Sequence, residues 1–392
     1  MKALSILGST GSIGKNCLRV IADFPETFRV VGLSAGSNVS VLAEQVQRFR
    51  PSVVSVSDRA SAQALGQRLQ SLSPSLQPRI SVGLDGMCEV ATHPDIHLVV
   101  SAVVGINGLV PTCQAIQSGK TIALASKEIM VVAGDLVTAA ASHHRAEIIP
   151  VDSEHNAIHQ CLRSGRREEV HRVILTASGG PFRSFSPAML SDVTPEMALN
   201  HPTWSMGNRI SIDSATMMNK GFEILEAKWL FGLPIEKISV LIHPQSTVHS
   251  MVEFQDGSII AQLGVTDMRH PIQYALTYPE RAPARHDYLD FRKVRILEFT
   301  EPDLTQFPCL ELAYQAARNA GHLPCTLNAA DEVAIDHFLA RKIPFLFIPK
   351  IIRRMLDMSG GEGNFSSVHE LLQYDSTIRQ ETRRLIERDY LH

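Results

Sequence analysis

The first 150 residues alternate short apolar runs with amphipathic stretches, and that alternation restricts the fold more than any other feature of the chain. Residues 3–7, 29–33, 53–56, 97–103, 121–125 and 148–151 read as buried strands, with helix-like segments such as 39–49 and 109–117 between them. Strand and helix in turn imply a parallel sheet covered on both faces, and right-handed crossovers make it doubly wound. A single core stops growing near about 250–300 residues, so a 392-residue chain needs more than one. From Asp152 the loops lengthen. Asp256-Gly257 between apolar runs at 248–254 and 258–263 is a hairpin signal. Helical spacing returns at 309–320, 327–339 and 368–388. The expected fold class is α/β: a doubly wound, Rossmann-like parallel sheet over 1–150, an α+β domain over 151–285, a linker over 286–305 and a small C-terminal helical domain over 306–392.

Composition narrows the class. With 44% hydrophobic and 20% charged residues and a formal net charge of -3, the chain is neither disordered nor built as a dedicated nucleic-acid binder. None of the six cysteines forms a C-x-x-C pair, which favours small buried hydrophobes over a zinc knuckle. No apolar run reaches the ~18 residues of a membrane span, and Met1-Lys2 leads straight into the first strand. The expectation is a soluble, cytoplasmic protein with neither membrane nor nucleic acid as a partner.

Gly8-Ser9-Thr10-Gly11-Ser12-Ile13-Gly14 follows the first strand and opens a helix-like run at 15–23. Glycines there let the backbone approach a pyrophosphate, while the helix N-terminus offers unpaired N–H groups and a positive dipole end. The G-x-x-G-x-x-G spacing departs from G-x-G-x-x-G, so the strand–loop–helix context carries the reading. NAD sites place an acid on the ribose about 20 residues further on. Here the second strand runs into Ser34-Ala35-Gly36-Ser37-Asn38, without an acid. Hydroxyl, amide and backbone donors accept a 2′-phosphate that an acid would repel. This favours NADP, with Ser37 and Asn38 as candidate contacts.

Pro150-Val151-Asp152-Ser153-Glu154-His155 lies where a strand ends, the place where ligands of open α/β sheets bind. In an extended segment Asp152 and Glu154 project to one side, and adjacent carboxylates repel unless a cation lies between them. Oxygen donors suit Mg²⁺ or Mn²⁺; an ordinary surface Asp-x-Glu is the competing reading. His155, on an incipient helix, would point away from Glu154 and reads as structural. A second cluster, 211–223, leads into a helix expected over 215–231 and capped by Asp213 or Ser214. Asn219 and Lys220 stand four and three residues before Glu223, so all three share a helix side. That side offers a metal carboxylate, a cation for phosphate and an amide donor; a solvated ion pair is the alternative. Gly221 costs a helix ~1 kcal/mol against Ala, which implies a close backbone or ligand approach. Glu226 reads as a supporting acid or an exposed charge.

Ser178-Gly179-Gly180 after a strand at 173–176 can form an anion-binding nest or a plain flexible turn. Ser178, Ser214, Asn219 and Lys220 together make a donor set suited to a phosphomonoester. His201-Pro202-Thr203-Trp204-Ser205-Met206-Gly207 reads as a loop whose Trp204 and Met206 close over a ligand, or whose indole anchors it on the core. Lys127 and Glu128 follow the strand at 121–125. Lys127 is placed to touch a substrate oxygen, unless the two form a surface ion pair.

These segments, with His243-Pro244-Gln245-Ser246 and in this order, resemble the 1-deoxy-D-xylulose 5-phosphate reductoisomerase family over nearly the whole chain. The run through Met217-Met218-Asn219-Lys220-Gly221 is the most specific. The resemblance implies NADPH-dependent conversion of 1-deoxy-D-xylulose 5-phosphate to 2-C-methyl-D-erythritol 4-phosphate, early in the non-mevalonate route to isoprenoids. It implies Mg²⁺, Mn²⁺ or Co²⁺ and a homodimer, with the catalytic, metal- and substrate-binding domain at 151–285. Carried over by motif, Asp152, Glu154 and Glu223 hold the metal. Ser153, Ser178, His201, Ser214, Asn219 and Lys220 bind substrate, and Lys127 contacts the reacting oxygens. Thr10, Gly11, Ser12, Ile13, Gly36, Asn38, Ser126, Glu128 and Gly207 contact NADPH. Ser126 stands where the family usually has Asn, and Ser37 where it often has Lys. A metal-independent Rossmann dehydrogenase and a non-catalytic nucleotide-binding protein are the alternatives, separable by metal-dependent turnover.

Overall fold

The structure, a computed structural model, describes every residue except 73, 203, 205, 320, 361, 362 and 392. Two compact units emerge: residues 1–129, 137–156 and 267–288 form one, and 130–136, 157–266 and 289–392 the other. The expected linear boundary at 285 differs from this grouping. The helix Arg269–Thr277 buries Ile272, Ala275 and Leu276 in the core of the first unit, and Asn156 Nδ2 donates to Pro271 O at 3.2 Å.

The first unit holds seven parallel strands: β1 (Lys2–Leu7), β2 (Phe28–Ser34), β3 (Val53–Val56), β4 (Arg79–Val82), β5 (Leu98–Ser101), β6 (Thr121–Leu124) and β7 (Ile148–Pro150). Their order is β4-β3-β2-β1-β5-β6-β7. The direction of winding reverses between β1 and β5, which opens a crevice at their carboxyl ends. Leu4, Ile6, Leu33, Val54, Val100 and Ile149 of the strands meet Leu18 and Ile21 of the helix Ser12–Asp23 and Leu42 and Val46 of the helix Val39–Phe49. The apolar spacing on each helix is i, i+3 or i+4, one stripe turned to the sheet.

In the second unit a mixed four-stranded sheet has the order β11-β10-β8-β9, with β8 (Val170–Ala177), β9 (Ile238–Ile242), β10 (Val248–Phe254) and β11 (Ile259–Leu263). β10 and β11 form the antiparallel hairpin expected around Asp256-Gly257. His243 fixes the turn between β9 and β10. Its buried Nε2 accepts from Thr247 N and Val248 N, both at 3.1 Å. Its Nδ1 lies 2.9 Å from Glu298 O, so the proton sits on Nδ1. The helices Pro308–Asn319, Leu323–Leu339, Phe347–Met358 and Val368–Asp389 complete this unit.

The six cysteines are all free and buried. Burial pushes the Cys113 and Cys161 thiols up to about 11, which keeps them protonated and unreactive. Asp331 is a costlier burial. It has no exposed surface, and burial, then the neighbouring Asp213 charge, raises its carboxyl well above the usual range, against the pull of Arg209. The folded chain thus keeps a proton that the unfolded chain releases above about 3.9. Stability from this residue is intact below that value and falls as pH rises toward the folded-state pKa. Asp331→Asn, which is neutral at any pH, should melt higher than the parent, with a gain that grows as pH rises above the unfolded carboxyl pKa of about 3.9. A gain that does not change with pH would contradict the assignment.

Candidate active site

Adjacent parallel strands set one cluster in the first unit. Lys127 follows β6 and Asp152 follows β7, so their side chains emerge side by side at the carboxyl edge of the sheet. Lys127 Nζ lies 2.5 Å from Asp152 Oδ2, and the lysine is almost fully buried. The surface ion-pair reading of Lys127 and Glu128 is therefore wrong for Lys127. Asp152 and Glu154 are not on an extended segment as expected. The helix Ser153–Cys161 begins immediately, with Glu154 in its first turn. Ser153 N donates to Asp152 Oδ1 at 3.0 Å, and Ser153 Oγ donates to Glu154 Oε2 at 2.6 Å. The serine holds both carboxylates. His155 is fully buried, its Nδ1 3.8 Å from Asp152 Oδ2.

The glycine loop occupies the β1/β5 switch point. Gly8 has φ of +83°, and a Cβ there would stand 2.4 Å from Ala102 O beyond β5. A Cβ on Gly14 would stand 2.4 Å from Gly8 O. The helix Ser12–Asp23 starts after Gly11 with no side-chain cap, so Thr10, Gly11, Ser12 and Ile13 present backbone at its N-terminus. Across β2, Gly36 faces open space. Ser37 is exposed, and Asn38 Oδ1 accepts from Val41 N at 3.3 Å as the next helix cap. Ser126 Oγ donates to Val103 O at 2.5 Å and ties the β5 and β6 ends together.

The second unit carries a cluster of its own. The single helix expected over 215–231 is two helices, Asn208–Thr216 and Met218–Phe231, broken at Met217 with φ of +64°. Asp213 and Ser214 lie in the last turn of the first helix and cap nothing. After the break, Asn219 Nδ2 donates to Glu223 Oε1 at 2.7 Å, and Lys220 Nζ donates to Glu223 Oε2. Lys220 and Glu223 are buried, which excludes the solvated-face reading. Glu226 is also fully buried and is not an exposed charge. The close approach expected at Gly221 is helix packing: a Cβ would meet Ala313 Cβ at 2.5 Å.

Gly179 and Gly180 have φ of +81° and +68°, and a Cβ on Gly180 would stand 2.5 Å from Ser214 O. The turn after β8 is thereby pressed against the end of the helix Asn208–Thr216. Ser178 Oγ accepts from Gly180 N at 3.2 Å and lies 3.0 Å from His201 Nε2. Trp204 N donates to His201 Nδ1 at 2.9 Å, so the ring proton is on Nε2 and points at Ser178. Burial, then the Arg183 charge, lowers the His201 pKa and keeps the ring neutral. Having accepted twice, Ser178 retains its own O–H proton for a ligand. Within the loop 201–207, Trp204 and Met206 are partly buried and Gly207 is exposed. Thr203 and Ser205 lie outside the described residues. Sequence reasoning passed over Arg209, which meets Asn328, Asp331 and Glu332 more than a hundred residues away.

Sequence profiles match the chain over residues 4–134 (1-deoxy-D-xylulose 5-phosphate reductoisomerase), 148–231 (its C-terminal domain) and 263–381 (DXP reductoisomerase C-terminal domain). A 1-deoxy-D-xylulose 5-phosphate reductoisomerase of Chloroherpeton thalassium is 50% identical over 380 residues, 97% of this chain and 97% of the relative. The chain belongs to the 1-deoxy-D-xylulose 5-phosphate reductoisomerase family. Another reductoisomerase, from Desulforamulus reducens, is 50% identical over 98% of this chain and 99% of its own. The solved reductoisomerase of Zymomonas mobilis in complex with NADPH superposes with a TM-score of 0.92 at 41% identity, covering 99% of each chain. A DOX-P reductoisomerase in complex with NADPH, fosmidomycin and magnesium gives 0.94 at 39% identity, over 99% of this chain and 100% of that one.

Proposed function

We propose that Asp152, Glu154 and Glu223 are the protein ligands of one divalent ion and that Ser178, His201, Ser214, Asn219 and Lys220 grip the phosphate of the substrate. The reaction is that of the reductoisomerase family: NADPH- and metal-dependent conversion of 1-deoxy-D-xylulose 5-phosphate to 2-C-methyl-D-erythritol 4-phosphate in isoprenoid precursor synthesis. One observation carries the residue assignment. The acids at the sheet edge and on the second-unit helix are each held by a lysine, Lys127 on Asp152 and Lys220 on Glu223. Carboxylates this buried demand positive charge beside them, and three of them form the hard oxygen donor set of Mg²⁺, Mn²⁺ or Co²⁺.

Held by Asp152, Glu154 and Glu223, a divalent ion would supply Lewis-acid polarisation of the ketone, and NADPH would supply the hydride. Lys127 donates to the reacting oxygens, and Ser153 fixes the carboxylates on either side of it. Ser178, through its unspent proton, and the Lys220 ammonium hold the phosphate as a remote handle that orients the reacting carbons. The loop bearing Trp204 and Met206 covers the bound sugar and keeps water out. Thr10, Gly11, Ser12 and Ile13 cradle the pyrophosphate. Gly36, Ser37 and Asn38 face the 2′-phosphate, and Ser126, Glu128 and Gly207 lie along the rest of NADPH.

The protein acts as a homodimer in the cytoplasm. β11 is a sheet edge with exposed Ile259 and Ile260, a surface suited to a second copy. Free buried thiols and phosphorylated, membrane-impermeant reactants fit a reducing compartment. Among the described residues no helix is long and apolar enough to cross a membrane.

NADPH absorbance in the presence of 1-deoxy-D-xylulose 5-phosphate tests the activity: it should fall only with Mg²⁺ or Mn²⁺ added, and folded protein that leaves it unchanged would refute the reading. Ser178→Ala should raise KM for the sugar phosphate by roughly tenfold or more, the cost of one hydrogen bond to a charged group, with KM for NADPH unchanged. Equal shifts in both constants would place Ser178 elsewhere.

A further inference from the structure

We propose that Arg209 is a positioning residue for the sugar-phosphate site, locking the helix that carries Ser214 onto the C-terminal helices. The inference rests on the substrate role given above to Ser214 and to the loop 201–207.

Arg209 is the second residue of the helix Asn208–Thr216. A cation there opposes the positive end of the helix dipole, so local preference does not explain it. Tertiary contacts do. The side chain is only 13% exposed, and its Nη2 donates to Asn328 Oδ1 at 2.8 Å. Its nitrogens lie 3.4 Å from Glu332, 3.8 Å from Asp213 and 3.9 Å from Asp331. Its guanidinium sits 5.8 Å from the Phe222 ring, next to Glu223. Asn328, Asp331 and Glu332 all belong to the helix Leu323–Leu339. Arg379 of the helix Val368–Asp389 holds Glu332 and Asp375, both at 2.5 Å.

A buried guanidinium needs compensating groups close by; here a directional hydrogen bond to Asn328 and the nearby carboxylates of Glu332 and Asp213 hold its planar fork from two helices. Arg209 therefore fixes both the axial position and the rotation of its helix. Two residues before it the loop 201–207 ends. Five residues after it, at 1.5 Å rise per residue, comes Ser214, whose carbonyl faces Gly180 of the phosphate-binding turn. The helix is thus a rigid rod with substrate groups at both ends and a buried anchor near one of them. A slip of about 1 Å in such positioning costs up to about a hundredfold in rate.

The test compares Arg209→Met, Arg209→Lys, Asn328→Ala and Arg379→Met in steady-state assays with both substrates varied, alongside circular dichroism and thermal melts. Arg209→Met should raise KM for 1-deoxy-D-xylulose 5-phosphate about tenfold or more and lower kcat, with KM for NADPH within about twofold of the parent. Asn328→Ala, which removes the guanidinium's acceptor, should show the same selective rise. Arg209→Lys, with charge but no fork, should fall between. Arg379→Met should lower the melting temperature without the selective rise. Should Arg209→Met fail to fold, Asn328→Ala and Arg209→Lys decide. The proposal is overturned if folded variants keep the parental KM for the sugar phosphate, or if both KM values shift together with the loss of stability. An inactive wild type would instead refute the assigned activity.

Discussion

Glu223→Gln should abolish turnover, by about a thousandfold or more, the scale of several kcal/mol of charge stabilisation lost from a transition state, while NADPH still binds. The substitution is nearly isosteric. Gln can still accept from Asn219 or Lys220, whose bonds to Glu223 fix the side chain, so the helix Met218–Phe231 should keep its shape. What disappears is a negative charge in a fully buried place. There the low local dielectric strengthens its hold on a cation, and Lys220 is left without its compensating partner. Stopped assays for product and fluorescence titration of NADPH read the two effects separately. A parallel loss of NADPH affinity would mean that Glu223 serves the fold or the cofactor and not the chemistry.

The second large effect should come from the nucleotide loop. Gly14→Ala adds one methyl group, but that methyl would lie 2.4 Å from Gly8 O and 2.5 Å from Ser9 Cα. Both are backbone atoms that cannot turn aside as a side-chain tip would. Overpacking of this kind typically costs about 1–3 kcal/mol, and here it falls on the backbone that is meant to approach the pyrophosphate. The expected result is a rise in KM for NADPH of roughly a hundredfold, with a lowered melting temperature and little change in the affinity for Mn²⁺. Gly36→Ala is the control, because nothing lies within 4 Å of its missing Cβ; it should cost much less. If Gly14→Ala bound NADPH as tightly as the parent, the loop would not be the cofactor cradle.

Most of the sheet was legible because buried parallel strands are continuous apolar runs. β1, β2, β3, β5, β6 and β7 all coincide with such runs to within a few residues. β4, with the sequence Arg79-Ile80-Ser81-Val82, is an edge strand only partly buried and gave no such signal. Prolines hid the start of one helix and the whole of two others. Pro324, Pro349 and Pro271 each sit in a first turn, where a missing N–H has no helical partner to lose. The Phe347–Met358 helix still turns Ile348, Ile351, Ile352 and Met355 inward at helical spacing.

In the site, the shared side of Asn219, Lys220 and Glu223 followed from helix geometry alone. The break at Met217 did not, because a methionine in the left-handed region has no local sequence signal. Nor did the Lys127–Asp152 pair, which depends on β6 and β7 lying side by side. Arg209 was invisible for the same reason: its meaning lies in residues 328–332, and no local pattern joins them.

The claim beneath all of this is that Asp152, Glu154 and Glu223 serve one ion. Titration of the NADPH complex with Mn²⁺, with free ion followed by electron paramagnetic resonance, measures it without turnover. The account predicts one tight site per chain, weakened to a similar extent by Asp152→Asn, Glu154→Gln and Glu223→Gln. If Glu223→Gln kept the parental Mn²⁺ affinity while the other two lost it, the three-carboxylate site would be wrong.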